Sequence, residues 1–232
     1  MNIDQTREMC EQRASIYRLL ASLVDQEVNK KTRPMILQLR DTPVEAGAPE
    51  GERKCAMGLR KMASCVTAFD QEVQDCLACD FARVFLASGR YQGKAAVPYE
   101  SIYTSEEHIL MQEARDQTRA IYRSAHVMPS RDQNIPEDYL PFEFEFMAIQ
   151  NDRLCEALSD KDAAGAAIAA SCQADFLANH LLNWVEALLE DVNRVATTDF
   201  YHALADVISG FLACEAQDVP ELARVCALPV AS

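Results

Sequence analysis

The chain has 232 residues, 49% of them apolar and 25% charged, which excludes a disordered or fibrous polypeptide and is typical of a globular protein with a sizeable core. Its 36 acidic and 22 basic side chains give a net charge of −14, which argues against nucleic-acid binding because no basic patch is present. There are only 7 glycines and 9 prolines, whereas Ala and Leu are the commonest residues, and this composition predicts an all-α fold.

The N-terminal half carries apolar residues at helical spacing. We predict a first helix over residues 4–27 and a second over 34–39 with Pro34 in its first turn. Two more helices are predicted within 52–87, separated near 69–72, and a loop follows over 90–98. Thr104 and Glu107 have the spacing of a capping box, which predicts a helix from there to about residue 125.

The C-terminal half begins with a predicted loop over 129–138. Residues 142–146 read Phe-Glu-Phe-Glu-Phe, an alternation typical of a strand, but Leu140, Phe144 and Met147 recur at helical spacing and favour a helix. Asp138 is its predicted N-cap, and Pro141 fits its first turn. An Ala-rich helix over 161–170 leads into 176–192, and a last helix covers 198–215. Together these elements predict a compact single-domain helical bundle spanning residues 1–232.

The cysteines and the N-terminus bear on the cellular compartment in which the protein is expected. Nine cysteines without the spacing of a disulfide framework are typical of free thiols in a reducing environment. The N-terminus lacks the layout of a signal peptide, and the apolar run 19–24 is too short to span a membrane. We therefore expect a cytoplasmic protein without membrane insertion.

Sequence motifs for catalysis are missing. Neither a phosphate-binding P-loop nor a dinucleotide fingerprint is present, and the four histidines are scattered, which predicts surface or hydrogen-bonded core residues rather than metal ligands. We predict a protein that is not an enzyme and has no catalytic residues, no metal site and no cofactor. One alternative is a thiol redox or metal-handling protein using Cys76 and Cys79, although Asp75 and Asp80 beside them disfavour a reactive thiolate.

Two predicted loops combine aromatic residues with carboxylates directly before a helix. They are residues 98–103, with sequence PYESIY, and 135–140, with sequence IPEDYL. One interpretation is helix capping, in which Ser101 or Asp138 accepts hydrogen bonds from first-turn N–H groups. The other is a recognition surface, in which tyrosines provide contact area and a carboxylate binds an arginine. The residue types alone leave both interpretations open.

Four segments resemble, in order, the motifs of the TorD/DmsD/NarJ family of molybdoenzyme-assembly chaperones. DYLPFEFEFM at 138–147 resembles the family signature E-x-P-D-H-L-x-x-E-L-x-F-M. DFARVFL at 80–86 resembles D-Y-x-R-L-F, PYESIY at 98–103 resembles P-x-E-S-x-Y, and FLANHLLNW at 176–184 resembles F-L-x-x-H-L-x-x-W. The sequence departs from the signature at Tyr139, where the family has His, and at Glu137, where it has Pro.

The resemblance implies an all-helical, TorD-like domain and a partner. Family members bind the N-terminal leader, often a twin-arginine leader, or the apo form of a molybdenum-cofactor oxidoreductase and assist cofactor insertion before export. Carried over position by position, the implied leader-binding residues are Glu100, Ser101, Tyr103, Asp138 and Tyr139. Paired guanidiniums followed by an apolar run would match a groove with carboxylates at its mouth (Glu100, Glu137 and Asp138) and aromatic side chains within it (Tyr99, Tyr103, Tyr139 and Phe142). The expected oligomeric state is a monomer or a homodimer that swaps segments through loop 90–98. The alternative within the family is a leader-independent adaptor for a non-exported redox enzyme.

Overall fold

Helices make up most of the chain. The structure, a computed structural model, describes residues 3–86, 95–128 and 134–227. Within these ranges there is no β-strand, and the all-α prediction is confirmed. The helices are α1 (Ile3–Asp25), α2 (Thr32–Leu39), α3 (Glu50–Cys65), α4 (Gln71–Phe85), α5 (Glu100–Thr104), α6 (Glu113–Ser124), α7 (Leu140–Asp160), α8 (Ala163–Phe176), α9 (Val185–Val195) and α10 (Asp199–Cys226), with a π-helical turn at Leu177–Leu181 between α8 and α9.

Two helix pairs form the frame of the fold. Helix α1 packs along α7, α3 packs along α10, and α8 contacts both α7 and α10. The largest side chains of the core are completely or almost completely buried: Tyr17, Phe144, Phe146, Phe176, Trp184, Phe200 and Tyr201. Burial of each such side chain contributes about 1.5–3 kcal/mol to the free energy of folding.

The α3–α10 contact depends on a close approach of two backbones. A Cβ atom added at Gly210 would lie 2.5 Å from the carbonyl oxygen of Gly51, and one added at Gly51 would lie 2.8 Å from the carbonyl oxygen of Gly210. Both distances are shorter than van der Waals contact, so glycine at these two positions permits the helices to pack at this separation.

Asp80 of the segment DFARVF connects α4 with the start of α10. Its buried carboxylate accepts hydrogen bonds from the backbone N–H and hydroxyl groups of both Thr197 and Thr198, at 2.7–3.1 Å. Burial alone would raise the pKa of Asp80, but the hydrogen bonds from Thr198 and Thr197 hold it below its usual value. This motif residue therefore has a structural function at the N-terminus of α10.

Several predicted boundaries agree with the structure and two do not. Pro34 lies in the first turn of α2, residues 52–87 form two helices, and 142–146 belong to helix α7. The prediction that a capping box at Thr104 begins a helix is wrong, because Thr104 ends α5 and the next helix begins only at Glu113. Helix α10 also continues beyond residue 215 through Pro220, since Val219 and Leu222 are buried there. Residues 90–94 of the predicted swap loop and 129–133 of the second loop lie outside the described residues.

Candidate functional site

Backbone hydrogen bonds join the two loops that the sequence singled out. Tyr99 and Tyr139 form an isolated antiparallel bridge. Glu100 N donates to the carbonyl oxygen of Asp138 at 3.0 Å, and Leu140 N donates to that of Pro98 at 3.0 Å. We call the two joined segments, 98–104 and 137–142, the loop junction. Residues of two motifs distant in the sequence thus lie side by side, at the starts of α5 and α7.

Asp138 is an interior residue of the loop junction. It is 0% exposed, and its Oδ2 accepts a hydrogen bond from Ser101 N at 2.9 Å. Its carboxylate therefore caps α5 across the junction, whereas the N-cap of its own helix α7 is Tyr139, without a side-chain cap. The prediction that Asp138 caps the following helix is wrong, because the bridge turns the carboxylate towards α5. Burial raises the pKa of Asp138, although Ser101 opposes this shift.

Glu100 is also buried and has two partners on the π-helical turn and the residues that follow it. Its Oε2 lies 2.9 Å from His180 Nδ1, and its Oε1 accepts from Asn183 Nδ2 at 2.8 Å. Glu100 is 2% exposed and His180 is 4% exposed. The segment FLANHLLNW thereby contacts the segment PYESIY, and His180 is a hydrogen-bonded core residue, as its isolated position in the sequence predicted.

Glu137 is bound by two arginines of α6. Its carboxylate lies 2.5 Å from Arg115 Nε and 3.4 Å from Arg119 Nε. Together with the burial of Glu100 and Asp138, this arrangement differs from the expected groove with three carboxylates at its mouth. The difference has a physical reason. Burial of a charged group without hydrogen bonds or ion pairs costs free energy, and each of the three carboxylates has such a partner within the protein.

The aromatic residues of the loop junction form two groups. Tyr99 stacks on Tyr139 with ring centroids 4.9 Å apart, and Phe142 meets Tyr139 edge-on at 5.4 Å. Tyr99 and Phe142 remain half-buried, so this group reaches the surface. Tyr103 points elsewhere: it stacks on Trp184 at 5.4 Å, and its hydroxyl donates to Asp191 at 3.3 Å. We call Tyr99, Tyr139 and Phe142 the aromatic face.

A cavity of about 330 Å³ lies beside the aromatic face, between α1 and α7. Phe142 and Phe146 contribute apolar walls from α7, and Ala21 contributes one from α1. Glu145 and Asp25 also line it. A concave surface with apolar walls next to the half-buried rings of Tyr99 and Phe142 is suited to receive side chains of a bound peptide.

Glu143 is a residue of the site that sequence reasoning missed. It is 0% exposed, and its carboxyl oxygens have no hydrogen-bond partner among the described residues. Burial, with Glu100 and Asp138 nearby, raises its pKa well above the usual value, so the fold favours the protonated form of this side chain. Its position in the apolar stripe of α7, three residues after Leu140 and one before Phe144, was the signal that it faces the interior.

The two cysteines of the thiol alternative lie on a different part of the molecule. Cys76 and Cys79 are exposed free thiols on α4. In the described part of the chain, His, Cys, Asp and Glu side chains do not gather into a group of three or more that could hold a metal ion. The helices described here also include none long and apolar enough to cross a membrane.

Comparisons with known proteins give consistent matches. Residues 48–190 match the family model described as nitrate reductase delta subunit. Chaperone protein TorD from Vibrio cholerae serotype O1, classical Ogawa strain, is 26% identical over 214 residues, which cover 91% of this chain and 94% of that protein. TorD of an El Tor strain is 30% identical over 152 residues, 66% of each chain. TorD of Vibrio parahaemolyticus is 24% identical over 215 residues, 90% of this chain and 95% of its own.

Proposed function

Because this chain belongs to the nitrate reductase delta subunit family, we propose that it is a cytoplasmic, non-enzymatic chaperone for the maturation of a molybdenum-cofactor oxidoreductase. The relatives that match most of its length carry the name chaperone. We further propose that it forms a single TorD-like domain over residues 1–232 and binds the leader of the client's catalytic subunit, a leader of the twin-arginine type. Binding of the client before export would leave time for cofactor insertion.

The observation that carries the leader-binding proposal is the Tyr99–Tyr139 bridge. It supports a common role for the two motif loops, since both contribute rings to one aromatic face beside a cavity. A leader segment has an apolar run, and the aromatic rings together with the cavity offer an apolar surface of matching chemistry. Tyr99, Tyr139 and Phe142 are the proposed contact residues.

The remaining predicted residues have a different proposed role. Glu100, Ser101 and Asp138 hold the two loops together by hydrogen bonds, and Tyr103 and Glu137 fix them to α9 and α6. We propose that these five position the aromatic face and do not pair with the leader themselves. This assignment follows from their burial and from the partners they already have.

Calorimetric titration with leader peptides from the same genome tests the proposal. We expect saturable binding of one leader, weakened when its paired arginines are changed to lysine because a planar guanidinium stacks on aromatic rings and a lysine ammonium does not. Phe142→Ala should weaken binding about tenfold by removing an apolar contact. Phe69→Ala is the matched control, since Phe69 is also half-buried but lies outside the loop junction.

The same titrations with the apo-enzyme separate the alternatives. If the leaderless apo-enzyme binds as tightly as the full-length client, the protein is a leader-independent adaptor. If neither the leaders nor the apo-enzyme bind to the folded protein, the chaperone proposal is overturned. A loss of binding in Phe69→Ala equal to that in Phe142→Ala would contradict the assignment of the aromatic face.

A further inference from the structure

Three consecutive apolar side chains are exposed in the connection between α5 and α6. Ile109 is 49% exposed, Leu110 41% and Met111 57%. Single exposed apolar residues are common, but a run of three large ones on an irregular segment presents a continuous apolar patch to solvent. Such a patch is typical of a surface that contacts a partner.

The backbone of this connection is held in an unfavourable conformation. His108 and Met111 have φ angles of 51° and 65°, a region that costs a non-glycine residue about 1–2 kcal/mol. Two hydrogen bonds fix the segment to α5: His108 Nδ1 lies 2.8 Å from the carbonyl oxygen of Ile102, and Gln112 N donates to Ser101 Oγ at 3.2 Å. The apolar side chains are therefore displayed by a fixed backbone that residues of the loop junction support.

An acidic cavity lies against the same connection. Its volume is about 390 Å³, and its walls include the carboxylates Glu100, Glu106 and Glu113 with the polar side chains of Ser105 and Gln112. The residues that line it include neither Lys nor Arg. Glu100 is buried and already has His180 and Asn183 as partners, whereas Glu106 and Glu113 are exposed, and their carboxylates are suited to an ammonium or guanidinium group.

The apolar patch and the acidic cavity form one surface. Gln112 lines the cavity and directly follows Met111, and Glu106 lies three residues before Ile109. Glu100 also lines the cavity, and in the sequence it directly follows Tyr99 of the aromatic face. We call Glu106, Ile109, Leu110, Met111 and Glu113 the α5–α6 surface.

We propose that the α5–α6 surface binds the part of the client leader in which a basic residue stands next to apolar ones. The basic side chain enters the acidic cavity near Glu106 and Glu113, while its apolar neighbours lie on Ile109, Leu110 and Met111. Charge complementarity identifies this occupant, because the residues that line the cavity include three carboxylates and neither Lys nor Arg, and the adjoining patch is apolar. The inference rests on the proposed function, since it assigns a second contact area to the same leader.

Two sets of variants test the two halves of the surface, with the leader peptide that binds the wild-type protein as the probe. Glu106→Gln with Glu113→Gln should weaken binding about 3- to 10-fold at low salt and less at high salt, since exposed charges are screened. Ile109→Ser with Met111→Ser should weaken binding about tenfold at both salt concentrations. Melting temperatures should change little, because all four side chains are exposed.

Matched control variants and a glycine variant distinguish a loss of leader contacts from a general effect of substitution. Glu186→Gln on α9 and Met57→Ser on α3 replace exposed residues of the same types and should leave affinity unchanged. Met111→Gly accommodates the positive φ and should retain the fold while weakening binding. If Phe142→Ala weakens binding but every α5–α6 variant binds like wild type, the inference is overturned and the leader proposal stands. If the wild-type protein binds no leader, both fail.

Discussion

Glu100 Oε2 lies 2.9 Å from His180 Nδ1, in a pair that is almost completely buried. The contact links α5 with the π-helical turn Leu177–Leu181, two elements separated by 80 positions in the sequence. Asn183 donates to the other carboxylate oxygen, so the side chain of Glu100 is held at both ends. Glu100 therefore holds the loop junction to the π-helical turn, and Tyr103 holds it to α9.

Replacement of Glu100 tests this role. Glu100→Ala leaves the buried His180 and the exposed Asn183 without their acceptor, and should lower the free energy of unfolding by about 1–3 kcal/mol. Glu100→Gln keeps one acceptor and should cost less. Urea denaturation measures both values, with Glu106→Ala as a control on an exposed residue of the same region. An unchanged midpoint in Glu100→Ala would contradict a structural role for the pair.

Asp138→Asn tests whether the second buried carboxylate acts by position or by charge. The asparagine amide oxygen can still accept from Ser101 N, so we expect leader affinity to stay within about twofold of wild type. Asp138→Ala removes the acceptor and should cost about 1–3 kcal/mol of stability. Titration calorimetry and melting curves on one preparation measure both effects. A tenfold loss of affinity in Asp138→Asn at unchanged melting temperature would show that the charge itself contacts the leader.

The fold could be predicted from the sequence to a large extent because helical periodicity is a local signal. The spacing of Leu140, Phe144 and Met147 outweighed the alternation at 142–146, and α7 follows this spacing. The connection before α6 could not be predicted in the same way. Its course depends on hydrogen bonds from Gln112 to Ser101 and on positive φ angles at His108 and Met111, none of which has a reliable pattern in the sequence.

The sequence predicted which segments form the candidate site, but it did not predict which residues each side chain contacts there. The residue types at 98–103 and 135–140 identified the two loops, and the motif resemblance indicated that they act together. Which carboxylate faces solvent and which is buried depends on distances between remote parts of the chain. Glu137 meets Arg115, and Glu100 meets His180, only once α6 and the π-helical turn are packed against the loops.

Glu143 makes stability dependent on pH in a defined direction. Its pKa in the folded protein is raised well above that of the unfolded chain, so the folded state keeps a proton that the unfolded state releases above about pH 4.5. The stabilisation of the folded state by this proton is therefore complete below about pH 4.5, and it is lost as the pH rises towards the pKa of Glu143 in the folded protein. The Glu143→Gln variant has no ionisable group at this position. The difference between its free energy of unfolding and that of wild type should therefore increase by up to about 1.4 kcal/mol per pH unit.

Melting curves of both proteins between pH 5 and pH 8 measure this difference. Glu215, whose pKa is also raised by burial, titrates in both proteins and cancels in the comparison, whereas Asp138 interacts with Glu143 and is part of the difference that is measured. Glu156→Gln, on the exposed side of α7, is the control and should follow the wild-type curve. Parallel curves for wild type and Glu143→Gln would contradict a buried, protonated Glu143.

The thiol alternative has its own test. Cys76 and Cys79 are exposed on α4, and replacement of both by Ser should change stability by less than about 0.5 kcal/mol. We also expect unchanged leader affinity and unchanged maturation of the client enzyme, because the proposed contacts do not involve α4. Client activity after co-expression measures maturation. Loss of maturation by the double variant, with leader affinity intact, would favour thiol chemistry.

The last prediction concerns a buried ion pair between α1 and α10. Arg13 Nη2 lies 2.7 Å from Glu215 Oε2, the side chains are only 6% and 2% exposed, and the Tyr17 hydroxyl donates to the same oxygen at 2.8 Å. Glu215→Ala leaves the Arg13 charge buried without its partner and should lower the free energy of unfolding by about 3–5 kcal/mol. Glu221→Ala on the same helix breaks an exposed pair with Arg224 and should cost less than about 1 kcal/mol.

The double replacement Arg13→Met with Glu215→Leu should recover most of the loss, because it removes both charges and fills the space with apolar atoms. If urea denaturation gives Glu215→Ala and Glu221→Ala the same midpoint, the buried pair contributes no more than a surface contact and α1 is held to α10 by apolar packing alone.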